Sequence, residues 1–232
     1  MSSSKIRTRS TTSSKTGSDT NADSRERLVQ AASDLLSERG LGELRVLDVA
    51  ARAQANVALI NYHFGGRDGL IDEVIQRAAM RIGTEREKRL QRLLADSPNA
   101  KPTVDALMRA WLSPLTKEIA TPGGLATFKT MIHLTFAADV TDERKQAQVK
   151  QATVVTAKYL DVLERILPEL DRATLAWRMF AAIGSCYLVL GRAEPARWKT
   201  LTGAATSKKA NTENVINALA TFIAAGISAP VQ

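Results

Sequence analysis

Cysteine is nearly missing from this chain: Cys186 is the single one in 232 residues, which excludes an internal disulfide and any thiolate metal cluster. Aromatic residues make up only 5%, and the apolar–polar alternation of strands is absent while Ala and Leu abound, so an all-α architecture is expected. Nothing near the start resembles a signal peptide, and no apolar run is expected to approach the roughly 20 residues of a membrane span. A soluble cytoplasmic protein is the expectation. Catalytic signatures are also missing. No nucleophile motif or phosphate-cradling glycine loop occurs, and the two histidines, His63 and His133, have no cluster of ligand-type residues at metal spacing. No enzyme, cofactor or metal site is therefore expected. What the chain does have is 44% hydrophobic residues, enough for a sizeable core in one or two domains.

A net charge of +8 points to a polyanionic partner. Its distribution weakens that inference, because residues 24–70 carry six Lys/Arg and six Asp/Glu. The fold motif in that segment is more informative than bulk charge. From Val46 to Phe64 the chain reads VLDVAARAQANVALINYHF. Val46, Val49, Ala50 and Ala53 recur at helical spacing, Gln54, Ala55 and Asn56 interrupt them, and Asn56 is suited to cap a second helix over Val57–Phe64. In that helix Val57, Ile60 and Phe64 share one face, leaving Leu59, Asn61, Tyr62 and His63 on the other sides. A short helix held by a partner and offering Asn, Tyr and His outward suits a DNA major groove.

These residues, with Gly65, Gly66, Arg67 and Leu70 after them and the amphipathic run Arg25–Arg39 with Gly40 before them, resemble the DNA-binding domain of the TetR family of bacterial transcriptional regulators. The resemblance covers about residues 24–75, and Tyr62-His63-Phe64 is its most specific part. It departs from the family pattern at Arg45, where a hydroxyl residue is usual, at Gln54, usually Gly, and at Ala55, usually Val. It implies a homodimer reading a pseudo-palindromic operator. Asn61 and Leu59 are then expected at base edges and Tyr62, His63, Arg45, Arg52 and Arg67 at phosphates, with Asn56 and Val57 opening the reading helix.

Three regions follow. Residues 1–23, Ser- and Thr-rich with Lys5, Arg7, Arg9 and Lys15, are expected to be a disordered basic arm, either a minor-groove contact or a solvated tail. Residues 24–70 form the helix-turn-helix domain, starting at an Asp23 or Ser24 cap with Leu28, Ala31, Ala32, Leu35 and Leu36 facing inward. Residues 71–232 form a larger helical domain for ligand binding and dimerisation. A long fourth helix, capped by Asp68 and ending near Leu94, joins the last two regions, with a solvated later part carrying pairs such as Glu85–Arg89. Pro102 suits the first turn of the next helix, and Pro114 should kink or end it. The apolar run Leu125–Phe136 is expected to be deeply buried with His133 inside it.

The last two helices, Ala173–Leu190 and Asn211–Ile227, have more apolar face than one small domain covers. Either they complete the monomer's core or they self-associate across a two-fold axis, and the resemblance implies the latter; Phe180, Ile183, Tyr187, Val215, Leu219 and Phe222 are the candidates. Met108, Trp111, Leu112, Phe128, Met131, Ile132, Phe136, Tyr159 and Trp177 exceed the apolar content a small body needs. Each taken singly fits ordinary core. As a set, with the inducer that the resemblance implies, they are read as a ligand cavity with His133 and Arg178 orienting a headgroup. Short matches at Ala58 and Asn61–Gly65, at Trp177, Arg178 and Gly184, and at Phe222–Gly226 are similar to the fatty-acid-responsive branch, which implies a fatty acid or acyl-CoA as effector. The rival reading is an all-α ligand-binding or adaptor protein without sequence-specific DNA binding.

Overall fold

The computed structural model describes residues 16–96, 101–137, 143–192, 200 and 208–230. Among them are nine α-helices and no strand. We number them α1 (Thr16–Arg39), α2 (Val46–Arg52), α3 (Val57–Phe64), α4 (Arg67–Ala95), α5 (Val104–Ala120), α6 (Gly124–Ala137), α7 (Glu143–Ile166), α8 (Arg172–Arg192) and α9 (Lys208–Ser228). A single 3-10 turn, Leu41–Glu43, lies between α1 and α2.

Two apolar cores hold these helices. The first gathers Leu28, Ala32, Leu35, Val49, Ile60 and Leu70, each 2% exposed or less, from α1 to α4. The inward stripe expected on α1 is therefore the one observed. The helix itself begins at Thr16, so part of the expected arm, residues 16–23, is helical. Ser24 is not a cap but a buried residue within α1, its hydroxyl donating to the Asn21 carbonyl at 2.8 Å. Lys5, Arg7, Arg9 and Lys15 lie outside the described residues. The second core collects Leu107, Met108, Trp111, Leu112, Phe128, Tyr159, Leu163 and Leu175 with residues of α4, α8 and α9.

α4 is the beam between them. Its start contributes Leu70, Ile71, Val74 and Ile75 to the first core, and its later half contributes Ile82 and Leu90 to the second. α6 makes a second link, since Met131 packs against both clusters. A half-buried ion pair ties α4 to α5, with Arg81 meeting Glu118, whose side chain is 8% exposed.

Several helix ends differ from expectation for local reasons. α4 starts at Arg67 behind Gly66, with Asp68 in its first turn and no side-chain cap; two glycines turn the chain so tightly that α4 begins before Asp68 can flank it. A Cβ at Gly69 would sit 1.8 Å from the Phe64 carbonyl oxygen, so the α3–α4 junction closes only because that position has no side chain. Thr103, not Pro102, flanks α5 and accepts from the Ala106 N–H at 3.1 Å. α5 then runs through Pro114 to Ala120. Its packing between α4 and α9 outweighs the missing hydrogen bond, a tertiary effect that overrides the local penalty.

α6 is less buried than its composition suggests. Phe128 and Ile132 point inward with Thr127 and Thr130, whereas Leu125 is 41% exposed and His133 is exposed. In α8, Arg172–Leu190 is long and apolar enough to cross a membrane by length and composition, with a mean hydropathy of 1.4, contrary to the expectation that no run reaches that length. Only 22% of that stretch is buried within this single chain. Arg178 interrupts it, donating to the Ile227 carbonyl at 2.7 Å and to that of Ala229. It thereby closes the open carbonyls at the end of α9.

Candidate functional site

The reading head is built by α2 and α3 with α1 behind them. Asn56 has extended backbone and its side chain accepts from the Ala58 N–H at 2.9 Å, so the expected cap is present. Gly65, at φ 72, ends the helix in the left-handed conformation that glycine adopts without penalty. Within α3, Ile60 and Phe64 are buried, Val57 and Leu59 are half-buried against the first core, and Ala58, Asn61 and Tyr62 are exposed, Tyr62 to 73%. The outward face is thus Asn61, Ala58 and Tyr62, narrower than the sequence pattern suggests.

Three assigned phosphate contacts turn out to be engaged within the protein. The Arg67 guanidinium donates to the Leu44 carbonyl at 2.9 Å and the Leu41 carbonyl at 2.5 Å, fixing the turn between α1 and α2. Arg52 grips Glu38 of α1 through two bonds of 2.6 and 2.8 Å. His63 is half-buried, its Nε2 3.3 Å from the Ser24 hydroxyl. That hydroxyl gives its own proton to Asn21, so the imidazole Nε2–H is the donor in this pair. Arg45 is exposed and flanks α2 without a side-chain capping bond. Further side chains clamp the head from behind. Arg27 donates to the Ala53 carbonyl at 3.1 Å, and Arg25 lies 5.4 Å from the Phe64 ring centroid while pairing with Glu73 at 2.8 Å. The result is two short helices rigidly held with a small, nearly neutral face outward, an arrangement able to enter a groove without deforming.

Residues 28–74 match the family model "Bacterial regulatory proteins, tetR family", and residues 109–226, half of the chain, match "Tetracyclin repressor-like, C-terminal domain". The chain belongs to the TetR family. Its members regulate transcription through an N-terminal helix-turn-helix of this kind. Among similar proteins, the HTH-type transcriptional regulator BetI 2 of Chromohalobacter salexigens is 30% identical over 76 residues, which is 33% of this chain and 37% of that one. An HTH-type transcriptional repressor of Mycobacterium tuberculosis is 36% identical over 55 residues, 24% of this chain and 29% of that one. The matched stretch thus spans about a third of these relatives' length. Two solved structures share the fold. A TetR-family regulator from Streptomyces coelicolor aligns with TM-score 0.55 at 14% identity, over 90% of this chain and 97% of that one. PfmR from Thermus thermophilus aligns with TM-score 0.55 at 18% identity, over 85% and 96%.

In this TetR-family chain the last two helices expose an apolar face. Trp177, Phe180 and Leu188 of α8 are 75%, 71% and 63% exposed, and Phe222 of α9 is 68% exposed. The α8 residues fall on one side of the helix, with Gly184 between them. Four other residues assigned to a seam sit elsewhere. Leu219 is 6% exposed in the second core, Ile183 and Tyr187 pack half-buried against that core, and Val215 is half-buried. Tyr187 meets Phe128 edge to face with ring centroids 5.8 Å apart. The 3.6-residue period runs past both the core and the outer face in such uniformly apolar helices, so the sequence alone does not sort them.

The residues assigned to a ligand cavity also divide. Met108, Trp111, Leu112, Phe128, Ile132 and Tyr159 are all within the second core, with Met131 half-buried at its edge. Trp177 is on the outer face, His133 faces out from α6, and Arg178 is bound to the end of α9; none of the three joins the core set. The side chain of Phe136 lies outside the described residues. What the sequence pattern missed is Arg86, which stacks on Trp111 with its guanidinium carbon 3.8 Å from the ring centroid. Its one local signal is its place four residues from Ile82 and from Leu90, on the buried stripe of α4. Elsewhere this part of α4 is the solvated, paired face expected, with Arg89 and Glu85 at 3.1 Å.

Proposed function

We propose that this TetR-family protein is a repressor that binds a pseudo-palindromic operator as a homodimer in the cytoplasm and is released by a small apolar effector. The observation that carries the reading is the outward face of α3, where Asn61 and Tyr62 stand exposed on a helix clamped from behind. Asn61 is suited to bidentate pairing with adenine, and Leu59, at the margin of that face, to a thymine methyl. Tyr62 and Arg45 supply phosphate contacts. Arg52 reaches a phosphate only by releasing Glu38, while Arg67 and His63 act by holding the head in shape. Two heads then sit about one DNA turn apart, roughly 34–36 Å, or somewhat more. The exposed Trp177, Phe180, Leu188 and Phe222 supply the seam between copies. The effector occupies the second core, and the resemblance to fatty-acid-responsive members makes a fatty acid or acyl-CoA the class to try first. Because α4 contributes to both cores, a ligand that prefers one setting of α4 must change operator affinity by the same factor by which operator changes ligand affinity. Selection of labelled genomic fragments by the purified protein is the test. A repressor enriches specific palindromic fragments and releases them with the effector; an adaptor enriches none, and that result would remove the reading.

A further inference from the structure

Arg86 is a cation of the second core that pairs with no opposite charge among the described residues. It lies on α4 between Ile82 and Leu90, each 5% exposed, so the helix period carries it inward. The residue as a whole keeps partial exposure, yet its guanidinium is enclosed by neighbours that include Tyr187, Tyr159 and Cys186. Desolvation lowers its pKa to about 10, which leaves it charged at neutral pH. Its Nε donates to the Trp111 carbonyl at 2.8 Å, and its own carbonyl accepts from the Tyr159 hydroxyl at 2.9 Å. Among the described residues no carboxylate pairs with it. The adjacent acids on α4 turn away, Glu85 to Arg89 and Lys117, Glu87 to Lys158. Trp111 beside it is 2% exposed, and its indole Nε1–H has no hydrogen-bond partner.

A guanidinium offers five N–H donors, and a buried cation left uncompensated is a costly arrangement that is normally avoided. A buried indole N–H without an acceptor is a second unmet donor in the same place. The cation calls for negative charge and the indole for an acceptor, and one anionic acceptor supplies both.

We infer that Arg86 and Trp111 form an anion subsite within the second core, taking the carboxylate of an otherwise apolar ligand. This rests on the effector reading proposed above and specifies its chemistry. The guanidinium carbon of Arg86 stacks 3.8 Å from the Trp111 ring centroid, so the cation and the unpartnered indole belong to one contact, and the apolar body of the ligand lies among Met108, Phe128 and their neighbours. Entry requires the core to part. Pro114 lies one turn beyond Trp111 and supplies no N–H for the Ala110 carbonyl, so α5 is least tied where a ligand would push. Because Arg86 is on α4, the charge that a ligand brings is felt on the helix that carries the reading head.

The experiment titrates the full chain with decanoate and 2-naphthoate and with their neutral counterparts 1-decanol and 2-naphthalenemethanol. Heat of binding and rise in melting temperature are read for the wild type, Arg86→Gln and Arg86→Lys. Wild type should bind the acids at least roughly tenfold tighter than the alcohols, as expected of a charge-assisted bond. Arg86→Gln should erase that ratio by weakening the acids far more than the alcohols, and Arg86→Lys should restore part of it. Decanoate against 2-naphthoate shows whether the body is aliphatic or fused aromatic. Equal affinity of wild type for acid and alcohol overturns the subsite and leaves the apolar effector reading standing. Parallel loss of both ligand classes in Arg86→Gln also overturns it, since a merely structural arginine behaves so. If Arg86→Gln does not fold, the wild-type ratio and the Arg86→Lys rescue decide. Binding of none of the four probes removes the subsite and the effector reading together.

Discussion

Gln54 holds φ at 51 in the turn between α2 and α3, the left-handed region that suits glycine, at a position where the family pattern has glycine. The Ala55 N–H donates to the Ala50 carbonyl at 2.9 Å across that turn, so the conformation is imposed by the helix end rather than chosen by the side chain. A non-glycine residue there costs on the order of 1 kcal/mol. Gln54→Gly should therefore raise stability by about 0.5–1 kcal/mol, because the relief in the folded state outweighs the added freedom of the unfolded one; urea unfolding measures it, and a lower midpoint would contradict it. A second contrast concerns arginine. Arg67→Ala removes bonds to two backbone carbonyls, so it should lower the melting temperature and weaken binding to every DNA sequence alike. Asn61→Ala, from an exposed position, should leave melting unchanged and relax preference at one base pair, a loss of about 1–3 kcal/mol of discrimination. Binding to an operator library read for both variants separates the two; equal relaxation of sequence preference would undo the assignment.

Among elements, the pairing of α1 with α4 sets how the head sits on the beam. Glu73 of α4 accepts from Arg77 of its own helix and pairs with Arg25 of α1, and Arg77 reaches back to Glu26 of α1. Burial by itself would raise the Glu73 pKa, but the hydrogen bonds from Arg77 and Arg25 outweigh it and the net direction is down. A carboxylate with a lowered folded pKa adds stability that is fully present above its unfolded value and is lost as pH falls through the folded one. The head should therefore be evenly stable from neutral pH to about 5 and loosen below the ordinary carboxylate range of about 4.3. Hydrogen exchange of α1 amides at pH 7, 5 and 3.5 should show this, and Glu73→Gln should flatten the acid end of the curve. An unchanged acid slope in that variant would place the dependence elsewhere.

At the scale of the whole molecule, the question is which apolar residues belong to one chain and which to two. Leu219 and Phe222 are three apart on α9, one 6% and the other 68% exposed. Leu219→Glu should bury a carboxylate in the second core and unfold the C-terminal domain, at a cost of several kcal/mol. Phe180→Glu, at a 71% exposed position, should leave the monomer folded and abolish self-association and operator binding together. Sedimentation with circular dichroism distinguishes them. A wild type that is monomeric at micromolar concentration, or a Phe180→Glu variant that remains dimeric, would remove the seam from α8.

The all-α class, the stripe of α1, the two reading helices and the Asn56 cap follow from the order of residues, since helix period and capping are local physics. The two-domain organisation carried by a long fourth helix is legible for the same reason. Partner choice is not. Arg67 and Arg52 have the same charge whether they meet a phosphate, a carbonyl or Glu38, and only the placement of α1 against α2 and α4 decides among these. Pro114 inside α5, Ser24 buried within α1 and Arg178 closing α9 are likewise outcomes of packing that local propensity argues against or leaves open. In α8 and α9 apolar residues occur on nearly every side, so which of them face inward is set by the neighbours the chain supplies. Arg86 is the clearest case: composition counts it as one more surface charge, and only the tertiary structure brings it against Trp111, with no described carboxylate paired to it.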